Sequence, residues 1–202
     1  MRSLQVSHFI TNITNSTERC KWSRLIKKNP YIVKLICFLE DELGELPFST
    51  IVEIRRTIEY NIPILKIKDY IKPYLASSEI EYLMQILREI HDEDKIKLYI
   101  NPELNQDQRW IVGFGFKCGL NAMETSVFAN PIFSSTQMYQ ILLGITNGLT
   151  IDEINCYAKP WFDTSFMELL RNSFFHFSNL NLYSVLSLYT PSYASKLNNF
   201  LA

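Results

Sequence analysis

The chain has 202 residues, with 20 Lys and Arg against 21 Asp and Glu, a formal charge of −1 and 47% hydrophobic residues. A chain of this length and composition encloses an apolar core without help from a metal or a disulfide. Disordered, collagen-like and disulfide-scaffold classes are excluded.

Charge is divided along the chain: residues 1–40 carry seven basic residues against Glu18 and Glu40, a net +5, which leaves −6 for the remainder. Residues 1–47 are therefore expected to form a basic helical segment. Arg19, Lys21, Arg24, Lys27 and Lys28 fit one short helix able to contact nucleic-acid phosphates, although a basic face is more often merely solvated. Trp22 on the same stretch is expected in the core. A second helix is predicted to open at Asn29-Pro30, because proline is tolerated at the first helical position. It runs through Ile32, Val33, Ile36 and Leu39 and stops at Gly44.

The first thirty residues lack the apolar run of a signal peptide, and no apolar window is long enough to span a bilayer. The expectation is a cytoplasmic protein without membrane association, in which the sequons at Asn12 and Asn15 are chance. Cys20, Cys37, Cys118 and Cys156 show no CxxC spacing and lie in apolar stretches, so they are expected to be buried free thiols, with no metal or cofactor.

From residue 48 to 175 the chain repeats with a period of 29, seen first in Pro73, Pro102, Pro131 and Pro160. Three positions before each proline stands an aromatic (Tyr70, Tyr99, Phe128, Tyr157), and two after it a large apolar residue (Leu75, Leu104, Phe133, Phe162). Further columns are Leu83, Val112, Ile141 and Leu170, then Leu87, Phe116, Ile145 and Phe174, with Ile54 and Ile58 extending both backwards. Together with Ile80, Met138 and Met167 these columns trace the i, i+3, i+7 stripe of an amphipathic helix. Asn105 with Gln108, Ser134 with Gln137, and Asp163 mark its start; Asn61, Gly119 and Gly148 mark its end. A shorter helix then starts at Asp92, Asn121 or Thr150, buries Ile67, Ile96 or Ile154 with the aromatic column, and ends before the proline. Each unit is a helical hairpin that cannot enclose a core alone. The predicted architecture is thus all-α, an α-solenoid-like array of stacked hairpins. Gly115, Gly144 and Ser173 share one more column and are read as close packing between helices.

The pattern resembles a short helical repeat of the form G-L…Y-A-x-P-x-F…Q-M…I…G-L found in uncharacterised proteins of Gram-positive bacteria and their mobile elements. The residues that carry it are Gly119-Leu120, Phe128-Ala129-Asn130-Pro131-Ile132-Phe133, Gln137-Met138, Ile141, Gly148-Leu149 and Tyr157-Ala158-Lys159-Pro160-Trp161-Phe162. The upstream copies have drifted: Ile90 and His91 replace Gly-Leu, and Arg109 takes the Met column. The resemblance implies the helical fold and a phage or mobile-element setting, and brings no catalytic residues.

Beyond residue 176, Leu182, Val185, Leu186 and Tyr189 predict a terminal helix before Pro191, and Tyr193, Leu197 and Leu201 a second. These would cap the array or, being nearly uncharged, form a homodimer contact.

No constellation for catalysis or metal binding is present. His8, His91 and His176 are far apart in sequence, and Glu89, His91, Asp92, Glu93 and Asp94 read as a turn and cap. Gly113-Phe114-Gly115 lies inside a predicted helix and follows no strand, so it is not a dinucleotide loop. Function is instead sought where the repeats differ. One varying column holds Tyr74, Glu103, Ile132 and Trp161, the other Glu81, Trp110, Tyr139 and Glu168. Trp110, Tyr139, Ile132 and Trp161 are the candidate anchors for a protein partner; the plainer reading packs them between units or under the caps. The expectation is a non-enzymatic interaction protein, in the setting of the resemblance an inhibitor of a host defence or nucleic-acid enzyme. Nucleic-acid binding by the basic segment is the alternative.

Overall fold

The computed structural model describes residues 2–29, 31–90 and 92–176, and every regular element among them is helical. The chain divides into two compact units, the first ending at Pro131 and the second beginning at Ile132. The predicted C-terminal helices, and the homodimer contact through them, lie outside the described residues.

The first unit opens with α1 (Arg2–Asn12), α2 (Ser16–Lys28) and α3 (Tyr31–Phe38). Asn15 starts α2 by accepting the Glu18 N–H at 3.0 Å, as an N-cap amide does. The helix predicted to reach Gly44 does so with its last turn, Leu39–Leu43, widened to a π-turn. All three helices share a core of Phe9, Ile13, Trp22, Ile32, Leu35, Ile36 and Leu39. Trp22 is fully buried, edge-on to Phe9 with ring centroids 5.0 Å apart.

Six further helices complete this unit: α4 (Phe48–Glu59), α5 (Ile64–Tyr70), α6 (Ser77–Glu89), α7 (Glu93–Tyr99), α8 (Gln106–Lys117) and α9 (Ala122–Ser126). In the second, α10 (Ser135–Thr146), α11 (Ile151–Tyr157) and α12 (Thr164–His176) follow. The long helices start at residues 48, 77, 106, 135 and 164, the short ones at 64, 93, 122 and 151, so both series advance by the 29 residues that separate the prolines. In the first unit α4 packs on α6, α6 on α7, and α7 on both α8 and α9; in the second, α10, α11 and α12 pack on one another.

The predicted caps are in place. Asn105, Ser134 and Asp163 accept from the third residue of their helices, as do Asn121 and Thr150 on the short ones, while Asp92 accepts from Asp94 and Lys95. At the far ends Gly119 and Gly148 have φ of 86° and Asn61 of 61°. Leu120 N–H reaches Gly115 O at 3.1 Å and Leu149 N–H reaches Gly144 O at 3.0 Å, the six-to-one bonds of a Schellman cap. The drifted copy departs here: Ile90 has a φ of −117°, and α6 runs one residue longer, because a β-branched side chain resists the left-handed region.

Each short helix stops short of its proline, and the proline then takes the second position of a β-turn. Leu75 N–H bonds to Lys72 O at 3.0 Å, Leu104 N–H to Asn101 O at 3.2 Å, and Phe162 N–H to Lys159 O at 3.0 Å. The turn delivers the large apolar residue inward: Leu75, Leu104, Phe133 and Phe162 are all buried. So are Leu83, Val112, Ile141 and Leu170 in the central column of the long helices.

A polar residue at the third helical position ties each turn to the next. Gln108 Oε1 accepts the Asn105 N–H at 2.8 Å while its Nε2 donates to Pro131 O at 3.2 Å. Gln137 repeats this in the second unit, bonding Ser134 N–H at 2.8 Å, Pro160 O at 3.0 Å and Phe162 O at 2.6 Å.

The cysteine expectation is corrected. Cys20, Cys118 and Cys156 are exposed and Cys37 is half-buried. Apolar neighbours in sequence do not place a helical residue inward, because consecutive side chains point about 100° apart. In α11 the inward positions are Ile154 and Tyr157, so Cys156 faces out.

Candidate functional site

The two varying columns lie on the surface of both units. Trp110 is 63% exposed, Ile132 59%, Trp161 56% and Tyr139 37%. Tyr74 and Glu103, at the phase of Ile132 and Trp161, are exposed as well, and so is Glu168, at the phase of Trp110 and Tyr139. Glu81 is half-buried and accepts from Ser49 and Thr50 at 2.7 and 2.8 Å. Large side chains are therefore exposed at these phases.

In the first unit Trp110 borders a cleft of about 280 Å³ between α6 and α8. The indole stacks on Phe114, one turn later, with ring centroids 5.5 Å apart and planes only 6° from parallel. Tyr82 and Tyr99 line it as well. The Tyr82 hydroxyl donates to Gly113 O at 2.6 Å, and a Cβ on Gly113 would stand 2.5 Å from Tyr82 Cε1. Gly113 is thus the residue that lets the Tyr82 ring lie against α8. Burial, reinforced by the charge of Glu89, pushes the Tyr82 phenol up to about 12, so it stays a neutral donor. The Lys117 ammonium sits over the Tyr82 ring, 4.9 Å from its centroid.

In the second unit Trp161 meets Phe162 edge-on at 6.2 Å, and Lys159 Nζ lies 5.9 Å from the indole centroid. Phe162 is also edge-on to Phe166 at 4.8 Å, which links the surface aromatic to the core.

The structure divides the basic residues predicted for phosphate contact. Arg19 is committed to the Ile13 carbonyl through Nε at 3.0 Å and Nη2 at 2.7 Å, and Lys21 Nζ lies 4.0 Å from a Glu18 oxygen. Arg24, Lys27 and Lys28 are exposed on α2.

Among the described residues no three His, Cys, Asp or Glu side chains gather as metal ligands. His8 Nδ1 lies 2.7 Å from Glu40 Oε2, and Asp92 is occupied as the cap of α7. Residue 91 and the side chain of His176 lie outside the description. Among the described helices none is long and apolar enough to cross a membrane.

Two buried ion pairs were not anticipated: Arg55 with Glu18, which joins α4 to α2, and Arg109 with Glu79, which joins α8 to α6. The available signal for the second was an arginine in a column otherwise apolar. For the first there was none, since 37 residues separate the partners.

Fold and surface together define an all-α protein of paired helices at a 29-residue period, displaying aromatic side chains at fixed phases. Comparison of the chain with family models, curated proteins and solved structures gives no match.

Proposed function

We propose that this chain is a non-enzymatic interaction protein, an α-solenoid-like array of helical hairpins that binds a protein partner through aromatics carried at two repeat phases. The observation that supports this reading is the exposure of Trp110, Ile132, Tyr139 and Trp161. Interfaces concentrate Trp and Tyr as anchors because they bury a large area at little entropic cost. The setting, an inhibitor of a host defence or nucleic-acid enzyme carried by a phage or mobile element, rests on the resemblance of the repeats alone, and action in the cytoplasm on the lack of a signal-peptide run in the first thirty residues.

Capture from a bacterial lysate with and without nuclease, read by mass spectrometry and nucleic-acid staining, tests it. A protein retained after nuclease and lost with Trp110→Ala/Trp161→Ala is the expected result. Loss of all captured material with nuclease would overturn it. The second reading, nucleic-acid binding, is favoured by the exposure of Arg24, Lys27 and Lys28 on one helix. It requires salt-dependent affinity that disappears when those three are neutralised.

A further inference from the structure

The cleft between α6 and α8 has the chemistry of a side-chain pocket. Its lining includes the parallel Trp110–Phe114 stack and the Tyr82–Tyr99 pair, with ring centroids 5.4 Å apart in the latter. Both tyrosine hydroxyls are committed to backbone carbonyls, Tyr82 to Gly113 and Tyr99 to Glu79, so the walls offer ring faces and not hydroxyls. Glu79 also borders the cleft, but its two oxygens are taken by Arg109 Nε at 2.6 Å and Ala76 N–H at 2.7 Å. Glu89, the other charge near Tyr82, holds the Gln85 amide at 3.1 Å. Lys117 lines the cleft and has no carboxylate within 4.0 Å among the described residues, so its ammonium is held in no ion pair there. The volume, about 280 Å³, suits one large aromatic ring.

We infer that this cleft anchors the protein partner by taking a Trp or Tyr side chain flanked by an acidic residue, the ring entering between Trp110 and Tyr82 and the carboxylate meeting Lys117. The inference rests on the protein-partner reading above. Offset stacking and edge contacts against four aromatic residues supply the attraction, and the rim charge selects acidic over basic neighbours.

The test uses the whole chain, labelled with nitrogen-15 and titrated with acetylated, amidated tripeptides. Glu-Trp-Glu is expected to shift the Trp110 indole N–H and the Gly113 amide saturably, with affinity on the order of millimolar. Lys-Trp-Lys should bind about fivefold more weakly, and Glu-Ala-Glu should leave both signals in place. Lys117→Glu should reverse the charge preference, and Trp110→Ala should abolish binding in a chain whose circular dichroism is unchanged. No shift at Trp110 and Gly113, or equal response to acidic and basic peptides, would overturn the inference. A partner still captured by Trp110→Ala/Lys117→Glu and lost with Trp161→Ala would also overturn it, while leaving the protein-partner reading standing. Tripeptide binding without any captured partner would overturn the protein-partner reading and, with it, the cleft's role as an anchor, leaving only the ligand chemistry of the cleft.

Discussion

Arg109 Nε lies 2.6 Å from Glu79 Oε1, with both side chains buried. The two occupy phases held elsewhere by glutamine and methionine, Gln108 with Met138 and Gln137 with Met167. In the second unit Gln137 Nε2 donates directly to the Phe162 carbonyl. For Glu79 the corresponding carbonyl is that of Leu104, and an ionised carboxylate has no proton to give. Arg109 makes the bond in its place, donating from Nη1 to Leu104 O while its Nε donates to Glu79. The arginine in an apolar column is thus the counterpart of a glutamate thirty positions earlier.

Breaking this pair leaves a buried charge. Arg109→Met is expected to lower stability by about 3–5 kcal/mol, whereas Glu79→Gln/Arg109→Met should return to within about 1 kcal/mol of the parent, because it restores the arrangement of the second unit. Urea unfolding midpoints of the two single variants and the double check this. An additive double would refute it.

Gly144 lies close against Tyr157 in the second unit. A Cβ there would lie 1.9 Å from Tyr157 Oη and 3.2 Å from Cζ, and that hydroxyl is itself bonded to Gln140 O at 3.2 Å. Gly144→Ala should cost about 1–3 kcal/mol through overpacking. Adding Tyr157→Phe, which removes the nearest atom, should recover part of that loss in thermal melts.

The same substitution one turn away acts by a different cause. No atom lies within 4 Å of a Cβ built on Gly148, but its φ is 86°. Gly148→Ala is therefore expected to cost about 1–2 kcal/mol from backbone strain alone, with no rescue by any neighbour. Asn61→Gly, at the same phase, should gain a few tenths of a kcal/mol, roughly the penalty asparagine bears there.

Acid should weaken the α4–α6 contact. Burial acts to raise the Glu53 carboxyl, but hydrogen bonds and charge from Arg88, at 2.5 Å, and Arg56, at 2.6 Å, outweigh it and hold the group below its ordinary value of 4.5. A carboxylate depressed in the folded state stabilises it above the unfolded value, and this contribution is lost as pH falls through the folded value. Urea midpoints measured from about pH 6 to about pH 3 should fall less steeply in Glu53→Gln than in the parent.

Trp110→Ala and Trp161→Ala should each change stability by about 0.5 kcal/mol or less, since both indoles are more than half exposed. A loss of several kcal/mol in thermal unfolding would instead mark them as packing residues and withdraw them from the proposed interface.

Much of the fold was legible because repetition multiplies weak signals. One capping box or one left-handed glycine is a modest indication; Asn105, Ser134 and Asp163 at one phase, with Gly119 and Gly148 at another, place helix ends to within a residue. The exposed columns were legible as the positions where repeats stop agreeing. What the period did not convey was which way an isolated residue faces, as the outward cysteines show. Nor did it convey the wider last turn after α3 or the cleft beneath Trp110, which exists because Gly113 admits Tyr82.

By itself, then, the sequence determined the helices of the repeat region, their order, most of their ends and their inward stripe, since backbone hydrogen bonding, capping and amphipathic period act within a few residues of one another. Tertiary structure alone decided which distant charges meet, Glu18 with Arg55 and Glu79 with Arg109, and where an aromatic surface becomes a pocket. Those outcomes depend on side chains thirty or more positions apart arriving within about 3 Å, a distance that no local periodicity encodes.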